Sequence, residues 1–174
     1  MARYWAAMSR KNVAVVRRVS EAHHRGDFAE GFEAVGPHTA PSMSQENVEV
    51  YRRLVEVWNS GDFDHLAAIH HDDVQVDPPE GWPEAEPIED LDAWIRQARR
   101  LMDSWEEQRI EPDEIKAVGE RVFAAFRWVA KGKDSSIELE TSMAMIVTVR
   151  DGMVARLEFH GDRDEARRIA GVDG

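Results

Sequence analysis

Apolar positions along residues 43–174 repeat first with a helical period and then with a period of two. Val48, Val50, Tyr51, Leu54, Val55, Val57 and Trp58 form one broad helical stripe. It ends at "NSGD", where Gly61 suits the left-handed position after a helix. Ser44 is the expected N-cap, with Glu46 near the positive end of the dipole. Asp62 caps a short second helix through Ile69, and residues 74–77 alternate as a strand. The run "PPEGWPEAEP" cannot extend that strand, because proline lacks the N–H a ladder needs. Asp90 then caps a third helix, in which Leu91, Trp94, Ile95, Ala98, Leu101, Met102 and Trp105 keep one face apolar. From there residues 107–117, 121–130, 137–149 and 153–160 read as strands. Turns at "VGER", "KGKDSS" and "RDG" join them into an antiparallel meander. A short helix, "DRDEARRIA", stops at Gly171. Three helices, a strand and a four-strand meander predict an α+β fold with helices on one face of the sheet.

The opening of this pattern occurs twice. "MSRKNVAVVRRVSEAHHRGDF" (8–28) and "MSQENVEVYRRLVEVWNSGDF" (43–63) share Met, Ser, Asn, Val, paired Arg and a closing Gly-Asp-Phe in register. Repeat architectures need three or more units, and nothing after residue 63 repeats again. The expected organisation is an N-terminal extension over 1–42, a partial duplicate of the opening helices, followed by a domain over 43–174. "GPHTAPS" (36–42) is the loop between the copies.

Charge narrows the partners. The chain of 174 residues carries a formal net charge of −12. Residues 1–42 hold six Lys/Arg against four Asp/Glu, and 43–174 hold sixteen against thirty. Such a surface repels phosphate, so neither nucleic acid nor an anionic membrane is an expected partner. The acids serve solubility. With no cysteine, disulfides, thiolate metal sites and cysteine nucleophiles are excluded together. No apolar run reaches the roughly 20 residues that cross a bilayer. "MARYWAAMSRKN" lacks a secretory apolar core, so a cytoplasmic location is expected.

"MSQENVEVYRRLVEVWNSGDFDHL" and "VTVRDGMVARLEFHGDRDEARRIAGV" resemble the opening helix pair and closing hairpin of the SnoaL-like proteins. These belong to the nuclear-transport-factor-2-like superfamily. The resemblance spans 43–174. It implies a cone-shaped, curved antiparallel sheet wrapped on three helices, a cystatin-like roll around an apolar cavity. It also implies a homodimer through the convex sheet face. The superfamily includes polyketide cyclases, ketosteroid isomerases, epoxide hydrolases, dehydratases and binding proteins without catalysis, so function rests on the cavity itself.

Two residues carry the expected chemistry. In "NSGDFDHLAAIHHDDVQVDP", Asp77 falls on the catalytic base of the ketosteroid isomerases. A carboxylate opening into an apolar cavity has its charged form disfavoured and becomes a stronger base. The bland alternative is a strand-end carboxylate bonded near Pro78. His160 closes the last strand and is the second candidate, to orient a substrate or exchange a proton. Leu157 and Phe159 alternate with it, which also allows it to face away from the cavity. Tyr51, Leu54, Trp58, Trp82, Met143 and Met145 are the expected ligand wall, Trp82 as a lid from the proline-rich loop.

The resemblance also has gaps. The isomerases' two oxyanion donors fall on Leu54 and Met145, which cannot donate, and the hydrolases' aspartate falls on Phe159. Arg127 is the one echo of the hydrolase set. "HHDD" (70–73) is read as a helix terminus rather than a metal site, because adjacent residues rarely converge on one ion. No Walker loop, dinucleotide fingerprint or serine elbow occurs, and neither cofactor nor metal is expected. Two readings stand. One is an acid–base isomerase, cyclase or dehydratase acting on a small hydrophobic molecule through Asp77. The other is a non-catalytic ligand-binding or interaction module.

Overall fold

The computed structural model describes residues 42–80, 86–133 and 138–172. The expected extension over 1–42 lies outside them except for Ser42, and so does Trp82. The elements are α1 (Met43–Ser60), α2 (Phe63–Ala68), β1 (His70–Asp77), α3 (Leu91–Asp103), β2 (Trp105–Val118), β3 (Arg121–Gly132), β4 (Glu138–Arg150), β5 (Met153–His160) and α4 (Arg163–Ala170). The five strands form one curved sheet in the order β1-β5-β4-β3-β2. The meander is antiparallel as expected, but β1 runs parallel to β5, so the sheet is mixed. No helix among the described residues is long and apolar enough to cross a membrane.

Local chemistry sets the helix ends. Ser42, not Ser44, caps α1. Its Oγ accepts from the Gln45 N–H at 3.4 Å, while Gln45 Oε1 accepts from the Ser42 N–H at 3.2 Å. Ser42 wins because a glutamine stands three residues on, completing a reciprocal capping box. Gly61 adopts the left-handed conformation (φ 68°) that ends α1. Asp62 and Asp90 cap α2 and α3 as expected. The third helix stops earlier than its apolar stripe: Asp103 is its last residue, and Trp105 opens β2 instead. Likewise "HH" begins β1 rather than ending a helix.

α1 turns Tyr51, Leu54, Val55 and Trp58 to the core, at the spacing of one helical face. It is tied to β2 near its C-terminal end and to the turn after β2 near its N-terminal end. Asn47 Nδ2 donates to the Gly119 carbonyl at 3.0 Å. Asn59 exchanges two bonds with the Ile110 backbone, at 2.8 and 2.9 Å. On the sheet, Val122, Ala124, Phe126 and Trp128 point inward with Met143, Met145 and Val147 from β4.

The outer face also has a small core, where Phe123, Ala125, Ala144 and Ile146 meet Ala166 and Ala170 of α4. The last helix therefore does not join the other three on the concave side. This explains the unbroken apolar runs in β3 and β4, which are buried on both faces. Arg163 anchors α4 by donating to the Met143 carbonyl at 3.1 Å, to Asp113 at 2.8 Å and to the Phe126 carbonyl. The β4–β5 hairpin turns through Asp151 (φ 53°) and Gly152 (φ 75°), both left-handed, as a tight two-residue turn demands.

Candidate functional site

Between the helices and the concave sheet face lies a cavity with an almost wholly apolar wall. α1 contributes Leu54, Val55 and Trp58, and α3 contributes Trp94, Gln97 and Leu101. Val76 of β1, with Pro78 and Pro79 just beyond it, forms one side. The sheet supplies Ile110, Phe126, Trp128, Met143, Met145, Leu157 and Phe159. The centre of a water-sized sphere has about 80 Å³ of this space to occupy, several times what one water needs.

Three tryptophans organise the wall. Trp58 and Trp94 stack with ring centroids 5.9 Å apart and planes 10° from parallel. Trp128 meets Trp105 edge-on at 5.3 Å. Gln108 joins the two groups, its Oε1 accepting from Trp58 Nε1 at 3.1 Å and from Trp128 Nε1 at 2.9 Å.

Of the ligand wall expected from sequence, Leu54, Trp58, Met143 and Met145 line the cavity. Tyr51 does not. It is fully buried one turn before Leu54, its hydroxyl has no hydrogen-bond partner among the described residues, and burial raises its phenol well above the ordinary range.

Asp77 is also placed differently from the expectation of a base opening into the hollow. Val76 points into the cavity, so strand alternation turns Asp77 to the outer face. There its Oδ2 accepts from Arg156 Nε at 2.9 Å and Nη2 at 2.7 Å. That hydrogen bond also raises the guanidinium of Arg156 above its ordinary value. His160 follows the same rule. Leu157 and Phe159 line the cavity, and His160 stands opposite Ala144 on the outer face. The structure thus brings Asp77, Arg156 and His160 to one side of the sheet and the cavity to the other. Arg127 also lies outside, in contact with Glu111, Asp113 and Glu140.

His70 is the one buried imidazole among the described residues, at 3% exposure. Its Nδ1 lies 2.6 Å from the Leu66 carbonyl. A carbonyl only accepts, so Nδ1 carries the proton and Nε2 is bare. Burial pushes its pKa down to about 4, against a smaller opposing effect of that hydrogen bond. The ring sits 6.3 Å from Trp94 and is neutral at ordinary pH. Among the described residues no three His, Asp or Glu side chains gather as a metal site.

Sequence reasoning missed Gln108, Trp94 and Trp128 as parts of the site. Trp128 had a readable signal, since it alternates in phase with Phe126 on β3. Gln108 had a weaker one, a polar residue two positions before the inward Ile110.

These features place the protein in a defined class: a helix-backed, curved sheet enclosing an apolar cavity. Residues 51–157 match the SnoaL-like domain family, and the chain belongs to it. No curated protein sequence matches. Among solved structures, a candidate polyketide cyclase from Xanthomonas campestris pv. campestris is 20% identical with a TM-score of 0.62, over 71% of this chain and 96% of that one. An NTF2-like protein of unknown function from Burkholderia pseudomallei is 20% identical with a TM-score of 0.61, over 72% and 97%. A protein with a ketosteroid isomerase-like fold from Catenulispora acidiphila, solved with trimethylamine, is 11% identical with a TM-score of 0.58, over 64% and 83%.

Proposed function

We propose that this chain binds a small, neutral, largely apolar molecule in the cavity without acid–base catalysis. The observation that carries this reading is the wall itself. Among the described lining residues there is no carboxylate, imidazole, lysine or arginine. Binding sites for small molecules are mostly apolar with a few polar groups, and here the polar lining side chains are Gln97 and the indoles. Proton abstraction would need a base inside and donors for the developing oxyanion. Asp77 and His160 stand on the other side of the sheet, and Leu54 and Met145 cannot donate. The Catenulispora neighbour, in complex with trimethylamine, supports the fold as a holder of small molecules. A homodimer and a cytoplasmic location belong to the same proposal, to be checked by sedimentation equilibrium and cell fractionation.

The test is a fluorescence titration with the neutral probe N-phenyl-1-naphthylamine. Wild type binds it, Met145→Trp fills the hollow and abolishes binding with the fold retained, and Asp77→Asn leaves affinity unchanged. Loss of binding in Asp77→Asn, with Met145→Trp unaffected, would falsify the reading.

A further inference from the structure

We propose that Gln97 selects the ligand, its carboxamide NH₂ donating to an oxygen that only accepts, with Arg100 as the positioning residue that turns the amide that way. The proposal rests on the cavity being a binding site for a small apolar molecule. Trp94, Gln97 and Leu101 stand three and four residues apart on α3, the spacing of one helical face, and all three line the cavity. Arg100, exposed and three residues beyond Gln97, donates from Nη2 to Gln97 Oε1 at 2.7 Å. A guanidinium has only donors, so the amide atom that faces it is the oxygen. That leaves the NH₂ group, which bonds nothing among the described residues.

The rest of the wall has the same bias toward donors. Trp94 Nε1 is buried without an acceptor, and the neighbouring His70 ring, 6.3 Å away, does not supply one, since its own Nε2 is also unpartnered. Among the described lining residues the single side-chain oxygen is Gln97 Oε1, and it is turned toward Arg100. A ligand oxygen gives up its water on entering such a space. A ketone oxygen regains a bond from the Gln97 NH₂. A hydroxyl can accept the same bond, but its own proton meets no side-chain oxygen turned to receive it and stays unsatisfied. The cavity therefore favours an apolar molecule carrying one acceptor group over its hydrocarbon and hydroxyl counterparts.

The experiment uses the full chain and three probes of matched shape, indane, 1-indanone and 1-indanol, each titrated by displacement of N-phenyl-1-naphthylamine. Once each affinity is corrected for the probe's own transfer from water to hydrocarbon, wild type favours 1-indanone over the other two. Gln97→Leu lowers the ratio of 1-indanone to indane affinity by about three- to tenfold, the worth of a net hydrogen bond. Gln97→Glu, whose carboxylate only accepts, loses 1-indanone in the same way and moves the preference to 1-indanol. Arg100→Met frees the amide to turn, so the gap between 1-indanone and 1-indanol narrows while indane is unchanged. Arg100→Lys, which still donates, keeps the wild-type order. If wild type shows no preference among the probes, if Gln97→Leu weakens all three equally, or if Arg100→Met changes nothing, the proposal falls while the cavity reading stands. If wild type binds none of the probes, both fall.

Discussion

Asp77 and Arg156 face one another across the parallel seam of β1 and β5, the carboxylate accepting two guanidinium bonds at 2.9 and 2.7 Å. The pair lies on the side of the sheet away from the cavity, with Asp77 partly exposed at 32% and Arg156 exposed at 44%. Exposed ion pairs contribute little, because water screens them and two long side chains must be held still. Asp77→Asn is therefore expected to cost less than about 1 kcal/mol. Urea unfolding measures it, and a loss several times larger would show that the seam depends on this carboxylate.

Acid should reveal His70. Its folded pKa is about 4 against an ordinary 6.5, so below pH 6.5 the unfolded chain takes up a proton that the folded one refuses. The stability this group contributes is present in full above pH 6.5. It declines as pH falls toward about 4, by roughly 3 kcal/mol in all, and is flat below that. Unfolding curves of wild type and His70→Gln, subtracted at each pH, isolate this contribution from that of the many carboxylates. A pH-independent difference would mean that the imidazole is not held neutral by burial.

Met145 combines two roles, being 1% exposed and part of the cavity wall. Shortening it to alanine removes buried surface beside a space that is already open. The neighbours have little to collapse onto, so the cost falls in the usual range of about 2–5 kcal/mol for a core methionine. Chemical denaturation gives this value directly. The widened hollow should also accept bulkier probes, opposite to the expected effect of Met145→Trp.

Arg163 holds α4 against the outer face through two backbone carbonyls and Asp113. Arg163→Met keeps the aliphatic stem but removes every donor. A loss of about 2 kcal/mol is expected, since charge-assisted hydrogen bonds are among the stronger ones. Hydrogen exchange should locate the change in α4 and leave α1 protected; uniform loss of protection would contradict this.

Much of the architecture could be read from the chain because the signals were local. Asp62, Asp90 and Gly61 are cap residues whose chemistry acts within one turn, and "RDG" demands a tight hairpin wherever it stands. Long-range relations were less visible. Nothing within residues 70–77 says that they run parallel to a strand some eighty positions later, and nothing near "DRDEARRIA" says which face its alanines cover. The side taken by Asp77 lies between these cases. The alternation of Val74 and Val76 with Gln75 and Asp77 already separates the carboxylate from the apolar face. Its similarity to a known base pointed inward, and the parity of the strand decided otherwise.

The near-parallel indoles of Trp58 and Trp94, 5.9 Å apart, have an optical consequence. Chromophores that close share their excited states, and the resulting paired bands in circular dichroism depend steeply on the separation and angle of the rings. Both rings line the cavity, so on the binding reading proposed above a guest that shifts either one would change those bands and report its own binding without a label.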